Sequence, residues 1–311
     1  MARQITIGTR GSQLALWQAH WTRSAILEKF PGTTVELLII KTQGDRILDV
    51  PLAKVGGKGL FVKEIEDAML AGRIDMAVHS MKDMPAKVPA GLCIGAVPER
   101  EAPWDALISK NRLPLDRLPH GARVGTSSLR RGAQLKSLRP DFEIVSLRGN
   151  LDTRLRKLDT ENLDAIILAA AGLKRMGLGD RITEIIPDTV MLPAVGQGAL
   201  CIECRENDPA TAHITAALDH PESRTVVMGE RAFLTRLEGG CQVPIAAHGT
   251  LSGGTLTLRG LVASLDGATV IRESLSGPAR DAEKIGVALA ERLIAGGAGH
   301  ILESLKELNE I

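Results

Sequence analysis

The 311-residue sequence contains no tyrosine, and aromatic residues make up only 2% of it. Its cores must therefore be built from Leu, Ile, Val and Ala, which suits an α/β protein, and few rings remain for stacking nucleic-acid bases. Charge of either sign is in no excess, with 38 Lys and Arg against 37 Asp and Glu and a formal net charge of +1. No global field draws such a chain to nucleic acid or membrane, so any anion site must come from local clustering of basic residues. The opening residues MARQITIGTR hold no apolar run of signal-peptide length, and no stretch approaches the apolar length that spans a bilayer. A cytoplasmic location is expected. The 4 cysteines, Cys93, Cys201, Cys204 and Cys241, are too sparse and uneven for a disulfide framework, which points to free thiols in a reducing compartment. Cys201 and Cys204 form one CxxC with no second pair and no suitably spaced histidine, so no metal is expected.

What is present is a repeated α/β grammar on a chain long enough for two or three domains. RQITI (3–7) reads as a strand, followed by GTRGS and a helix from about Leu14, with Ser12 placed as its N-cap and Leu14, Trp17, Trp21 and Ala25 as its buried stripe. VELLIIKT (35–42) reads as a fully apolar strand inside a parallel sheet. A glycine-rich polar stretch (42–59) leads to the helix LFVKEIEDAMLAG and the strand IDMAVHS (74–80). The pattern then recurs. ARVGT (122–126) is a strand, SS a cap and LRRGAQLKSL a helix; FEIVSL (142–147) is a strand feeding RGN and the helix LDTRLRKL. VGTSSLRRGAQL echoes IGTRGSQLAL, and LDAIILAAAGLKRM (163–176) echoes IDMAVHSMKDM (74–84). Two related α/β domains facing each other across a cleft are expected, with hinges near 98–105 and 193–200. The tail differs: an amphipathic helix (224–240) ends in two glycines, short strands carry SGG and DG hairpin signals, and DAEKIGVALAERLIAGG closes with a helix. This predicts a small α+β domain with an antiparallel sheet covered by helices on one face. The expected division is 1–98 with 196–218, then 99–195, then 219–311.

The arginines fall at strand ends on this map. Arg10 lies between a strand and its helix, Arg130 and Arg131 in the first turn of another, and Arg148 just before a third. Arg154 is one turn further on, and Arg175 follows the strand 164–171. Ligands of doubly wound sheets collect at the carboxyl ends of strands. Helix N-termini there add unpaired N–H groups, so Thr9, Ser12, Thr126, Ser127 and Ser128 complete an anion cradle. An exposed Arg–carboxylate pair is worth roughly 0–1 kcal/mol. A sheltered charge-assisted hydrogen bond contributes about 1.5–3 kcal/mol, so several together would hold a polyanion firmly.

Lys82 and Asp83 follow the strand that ends at Ser80. Among so many cations Asp83 is expected to stay ionised, a poor proton donor but a good stabiliser of a cationic intermediate. Cys241 follows Gly239 and Gly240, where the backbone can approach a ligand closely, and a thiol near arginines gains nucleophilicity. On its own, a single cysteine is more often an inert apolar residue. GGKG (56–59) lacks the spacing of a phosphate loop. His79 reads as packed or capping a strand end rather than as a base.

Several segments together resemble hydroxymethylbilane synthases, also called porphobilinogen deaminases: GTRGSQLALWQ (8–18), GGKGLFVKEIE (56–66), HSMKDMP (79–85), GTSSLRRGAQL (125–135), RGNLDTRLRKL (148–158), LPAVGQGALCIE (192–203) and EGGCQVPIAA (238–247). The resemblance implies a transferase that condenses four porphobilinogen molecules head to tail, releasing ammonia, to give the linear tetrapyrrole 1-hydroxymethylbilane. It implies a dipyrromethane cofactor joined by a thioether to Cys241. Lys82, Asp83, Thr126, Ser128, Arg130, Arg131, Arg148 and Asn150 match cofactor-binding positions. Arg10, Ser12, Gln18, Ser80, Arg154 and Arg175 match positions around the substrate and growing chain. Asp83 matches the catalytic carboxylate, and 42–59, with Lys54 and Lys58, matches a mobile lid. The family further implies a periplasmic-binding-protein-like pair of domains and a monomer. The alternative reading is a two-domain hinge-type binding protein for a small anion. A nucleic-acid-binding role for SLRRGAQLKSLR is disfavoured by the balanced charge and the scarcity of aromatics.

Overall fold

The structure is a computed structural model describing the backbone of residues 3–46, 62–238 and 243–310. The chain divides into two compact units. One takes in the described residues up to Glu101 together with Ala199–Arg224; the other takes Ala102–Gly198 and everything from Thr225.

The first unit holds β1 (Arg3–Thr9), β2 (Thr33–Ile39), β3 (Met76–Ser80) and β4 (Leu92–Ala96), and receives a later strand, β10 (Leu200–Arg205). The second holds β5 (Asp105–Ser109), β6 (Arg123–Gly125), β7 (Glu143–Val145), β8 (Ala165–Ala169) and β9 (Glu184–Ile186), followed by β11 (Ile245–Ser252), β12 (Thr255–Ala263) and β13 (Val270–Pro278). The first sheet runs β2-β1-β3-β10-β4 and the second β7-β6-β8-β5-β9. In each, the first three strands are parallel and the fourth is antiparallel to both neighbours. The two orders match element for element, with β6, β7 and β8 in the places of β1, β2 and β3. Both sequence echoes fall on these equivalents: one on β1 and β6 with their helices, the other on β3 and β8 with the turns that follow.

Each of these sheets is packed on both faces. Ile5, Ile7, Met76, Val78 and Ile202 meet the helix Gln13–Lys29 through Ala19 and Ile26. On the other face Ala77 and Leu92 meet the helix Lys63–Leu70 through Ile65, Ala68 and Met69. This is the period-2 alternation of a two-sided strand. The second sheet is similarly divided, with Leu107, Val124 and Ile167 on one side and Ile108, Ile166 and Leu168 on the other.

Some local expectations need correcting. Helix Gln13–Lys29 buries Gln18, Ala19, Thr22 and Ile26 rather than the stripe through Trp17 and Trp21, and Trp21 is exposed. The polar residues can turn inward because each has a partner: Gln18 Nε2 donates to Ser80 Oγ (2.9 Å), and Thr22 Oγ1 donates to the Gln18 carbonyl (3.0 Å). β2 is an edge strand, not an interior one, and Leu38 and Ile39 are exposed on it. Ser12 does cap its helix, accepting from the Ala15 N–H (3.4 Å). Ser128 occupies the equivalent cap position without a side-chain bond. Neighbouring Ser127 Oγ donates instead to the Leu147 carbonyl (2.8 Å).

The third sheet, β11-β12-β13, is antiparallel and joined by tight hairpins. Gly253 and Gly254 both take positive φ in the first hairpin, the conformation a two-residue turn requires. Helices Pro221–Arg236 and Ala282–Leu293 cover one face through Phe233, Ile285, Leu289 and Leu293. The opposite face is covered as well, against expectation: Ala246, Leu261 and Ala263 pack on Ala133 of the helix Leu129–Leu138. Gly267, at φ +71, brings the second hairpin so close to the Ala133 carbonyl that a Cβ would collide with it. The helical run Ala279–Glu307 is long and apolar enough to cross a membrane by length and composition, which the sequence reading did not foresee. Its apolar positions pack on β12 and β13, and Glu283, Lys284, Glu291 and Arg292 interrupt it.

Candidate active site

In the first unit the sequence-selected residues sit at the carboxyl ends of β1 and β3. Arg10 directly follows β1, and Ser12 and Gln18 belong to the cap and first turns of the next helix. Ser80 ends β3 and holds Gln18. The chain then makes a single 3-10 turn, Met81–Asp83, which places half-buried Lys82 and exposed Asp83 just beyond the strand. The Met81 N–H donates to the Ala199 carbonyl (3.0 Å), tying this turn to the segment that enters β10.

The second unit gathers Thr126, Ser128, Arg130, Arg131, Arg148, Asn150, Arg154 and Arg175 at the carboxyl ends of β6, β7 and β8. Thr126 is buried, and its Oγ1 accepts from the Ser128 N–H (3.2 Å). Asn150 caps the helix Leu151–Thr160, its Oδ1 accepting from the Thr153 N–H (2.9 Å). Gly149, at φ +108, allows the preceding turn to close against Thr153. Arg154 Nε folds back to the Gly149 carbonyl (2.8 Å), and Arg175 Nη2 donates to the Gly198 carbonyl (2.7 Å).

Arg130 and Arg131 are 4% and 6% exposed, and they are gripped by a residue the sequence reading passed over. Asp105, the fully buried first residue of β5, lies between them. Arg130 Nη1 donates to Asp105 Oδ2 (2.7 Å) and to the Leu192 carbonyl (2.7 Å). Arg131 Nη2 and Nε approach Asp105 Oδ1 at 2.7 and 2.9 Å, and its Nη1 donates to the Ile167 carbonyl (2.9 Å). Gln197 Nε2 adds a further bond to Asp105 Oδ1 (3.0 Å). Burial alone would raise the Asp105 pKa, but Arg130 and Arg131 outweigh it and hold the carboxyl far below the usual range. Burial in turn lowers the Arg131 pKa against the pull of Asp105. Two cations on one carboxylate leave a formal +1, and Arg130 Nε has no hydrogen-bond partner among the described residues. A buried N–H in that position costs free energy until an acceptor reaches it. An anionic ligand would supply one.

Glu230, also fully buried, accepts from the Gly196 N–H (2.7 Å) and the Gly249 N–H (2.9 Å), linking the segment before β10 to β11. Asp188 pairs with Arg259 and lies 3.4 Å from His248 Nδ1, whose ring meets Trp104 edge-on. Asp105, Gln197 and Glu230 were all missed, although DALIS opens an otherwise apolar strand with a carboxylate. That is a signal in itself, because a buried charge demands partners. Cys241, Lys54 and Lys58 lie outside the described residues. Among those described, no group of three or more His, Cys, Asp or Glu could hold a metal ion. A cavity of about 390 Å³ lined by Lys110, Arg112 and Arg181 lies at the amino end of β8, away from every residue selected above.

Residues 5–213 match the family described as porphobilinogen deaminase, dipyromethane cofactor binding domain, and residues 225–295 match porphobilinogen deaminase, C-terminal domain. The chain is similar to the porphobilinogen deaminase of Geobacter metallireducens, 58% identical over 300 residues, covering 96% of this chain and 94% of that one. It is 57% identical over 303 residues to that of Pelobacter propionicus, covering 97% of each. Among solved structures, a periplasmic arginine-binding protein of Salmonella typhimurium aligns at 15% identity and a TM-score of 0.40, covering 72% of this chain and 96% of that one.

Proposed function

Because the chain belongs to the porphobilinogen deaminase family, we infer that its strand-end residues bind a growing polyanion, with Asp83 as the catalytic carboxylate and Cys241 as the point of attachment. The family is that of a transferase of tetrapyrrole biosynthesis. It joins four porphobilinogen molecules head to tail, with loss of ammonia, and uses a dipyrromethane cofactor. Bound, that group would supply the end on which the chain of pyrroles is begun. The alternative of a hinge-type anion-binding protein finds little support beside relatives of this identity.

The observation that carries the reading is the Arg130–Asp105–Arg131 cluster. Every pyrrole of the product chain bears an acetate and a propionate, so each addition brings two negative charges. A buried cluster of formal charge +1 with an orphaned Arg130 N–H suits a carboxylate of the innermost pair of rings. Asp105 holds both guanidiniums in one orientation, and charge-assisted bonds in such a sheltered site are roughly twice as strong as neutral ones. Lys82, Thr126, Ser128, Arg148 and Asn150 belong to the same cofactor-binding set. Arg10, Ser12, Gln18, Ser80, Arg154 and Arg175 take the incoming substrate and the growing chain, with Arg175 and Arg154 already oriented by carbonyls.

Asp83 contributes through its position. An exposed carboxylate at the end of a 3-10 turn can accept hydrogen bonds from pyrrole N–H groups. As the aminomethyl carbon loses ammonia, positive charge develops on the ring, and a fixed negative group there lowers the barrier. Lys54 and Lys58 are assigned to a lid, and the three-part division 1–98 with 196–218, 99–195 and 219–311 belongs to the same reading. A cytoplasmic monomer is part of it too. The test supplies porphobilinogen to purified wild-type and Asp83→Ala protein and follows its consumption. The variant is expected to retain its covalent adduct and lose turnover, and normal turnover would overturn the role given to Asp83.

A further inference from the structure

Two of the described cysteines meet at the edge of the first sheet. β4 is its last strand, and Cys93 on it is the register partner of Cys204 on β10. Their Sγ atoms stand 3.7 Å apart, close enough for one thiol to donate to the other, and no disulfide joins them. Residues paired across antiparallel strands lie about 4.5–5.5 Å apart at Cα, inside the roughly 4.4–6.8 Å that a disulfide spans. The register slips between Ile202 and Glu203, leaving Gly95 as the extra residue of a bulge beside the pair. A Cβ on Gly95 would come within 2.7 Å of Cys204 Sγ and 3.0 Å of Thr215 Oγ1, so glycine there leaves the room that this thiol occupies. Exposure divides the two cysteines. Cys204 is buried, whereas Cys93 is partly exposed on its edge strand. Burial, then Cys93, pushes the Cys204 thiol up to about 12, so Cys93 is the thiol that meets an oxidant from solvent. Cys201, three residues earlier on β10, falls on the opposite face by alternation and is fully buried.

We propose that Cys93 and Cys204 form a reversible oxidation site, closed to an intramolecular disulfide by hydrogen peroxide and reopened by a dithiol. The Cys93 thiolate attacks the peroxide; an S–O bond forms, the O–O bond breaks and hydroxide leaves, which takes up a proton to become water. The Cys204 sulfur, giving up its proton, then attacks the sulfenic acid on Cys93. The S–S bond forms, the S–O bond breaks, and the hydroxyl departs with that proton as a second water. The two sulfurs lose two electrons between them, and the peroxide gains both. With Cys93 held as a neutral sulfenic acid, its charge no longer opposes ionisation of Cys204. The bond ties an edge strand to an interior one, and it does more than that along the chain. The two cysteines are 111 residues apart, and all of Ala102–Gly198 lies between them, so the closed loop contains every strand of the second sheet. Closing so long a loop removes freedom from the unfolded chain, and the linked form resists unfolding more strongly. Cys204 pairs with Met76 at the start of β3, whereas the Lys82–Asp83 turn leaves its other end.

The test exposes the purified holoprotein to hydrogen peroxide and then to dithiothreitol, following intact mass, proteolytic peptides and Tm. The oxidised wild type should be two hydrogens lighter, with its Cys93 and Cys204 peptides joined. Its Tm should rise by at least about 4 °C, and dithiothreitol should reverse all three changes. Cys93→Ser should show neither the joined peptides nor the rise in Tm. Cys204→Ser lacks the thiol that resolves the intermediate, so its Cys93 should hold a sulfenic acid that dimedone traps. The wild-type peptide map decides the matter alone if either variant fails to fold. A wild type that gains oxygen without joining these peptides, a link through Cys201 instead, or an equal rise in Tm in Cys93→Ser would overturn the proposal.

Discussion

Behind the carboxyl end of β3 the first sheet buries two glutamates and a histidine; at the carboxyl end of β8 the second buries an aspartate between two arginines. The strand orders are the same and the strand-end loops are equivalent, yet one buried group is built mainly of carboxyl side chains and the other mainly of guanidiniums. In both places one member of the cluster lies on the antiparallel strand laid down after the chain crosses from the other unit: Glu203 on β10 and Asp105 on β5. A duplicated scaffold has thus been given two electrostatic tasks. The arginine cluster sets two guanidiniums against one carboxylate and suits a permanent anion. On the other side, burial above all pushes the Glu66 pKa up to about 7.

The sharpest way to break this contrast is to remove Asp105. Asp105→Ala leaves two guanidiniums buried without their carboxylate, and losing one partner of a buried pair costs about 3–5 kcal/mol. Urea unfolding should show a loss of that size, together with reduced adduct content. A loss below about 1 kcal/mol would mean that the arginines do not depend on Asp105. Next in size is Asp83→Ala. Loss of a group that meets developing charge lowers kcat by about 10²–10³, and stopped-time assays of the folded, adduct-bearing variant measure it.

Glu66 gives a pH-dependent effect of a different kind. Its pKa is raised on folding from 4.5 to about 7, so its proton favours the folded state at low pH. That contribution is fully present below about pH 4.5 and is lost as the pH rises through 7, amounting to roughly 3 kcal/mol in all. Stability of Glu66→Gln should be flatter across this window when measured by denaturant titration. The smallest effect is expected from Arg175→Lys, which keeps the charge but loses the planar fork set by the Gly198 carbonyl. KM for porphobilinogen should rise about tenfold, or 1.4 kcal/mol, with kcat nearly unchanged.

Local signals made much of this fold legible in advance. Ser12 announced a helix start, SGG and DG announced hairpins, and the two short echoes marked β1 with β6 and β3 with β8. The strand-end placement of the arginines followed from the same elements. What stayed hidden depends on partners distant in the chain. Gln18 turns inward in place of a tryptophan because Ser80, 62 residues on, receives its amide. Asp105 reaches Arg130 across 25 residues and Gln197 across 92, and no periodicity records such a meeting. His79 read as a packed residue, and it is one, but its partner Glu203 is 124 residues away. The covered second face of the β11–β13 sheet was missed for the same reason, since Ala133 and Leu261 are remote in sequence.

All of these assignments assume a polyanion tethered at Cys241. Intact-mass measurement of the purified wild type beside Cys241→Ala tests that tether most directly. The account predicts a wild-type chain heavier than its sequence by a two-ring adduct, and a Cys241→Ala chain at its sequence mass and without turnover. A wild-type chain that is unmodified yet fully active, or a Cys241→Ala chain that still carries the adduct, would contradict it.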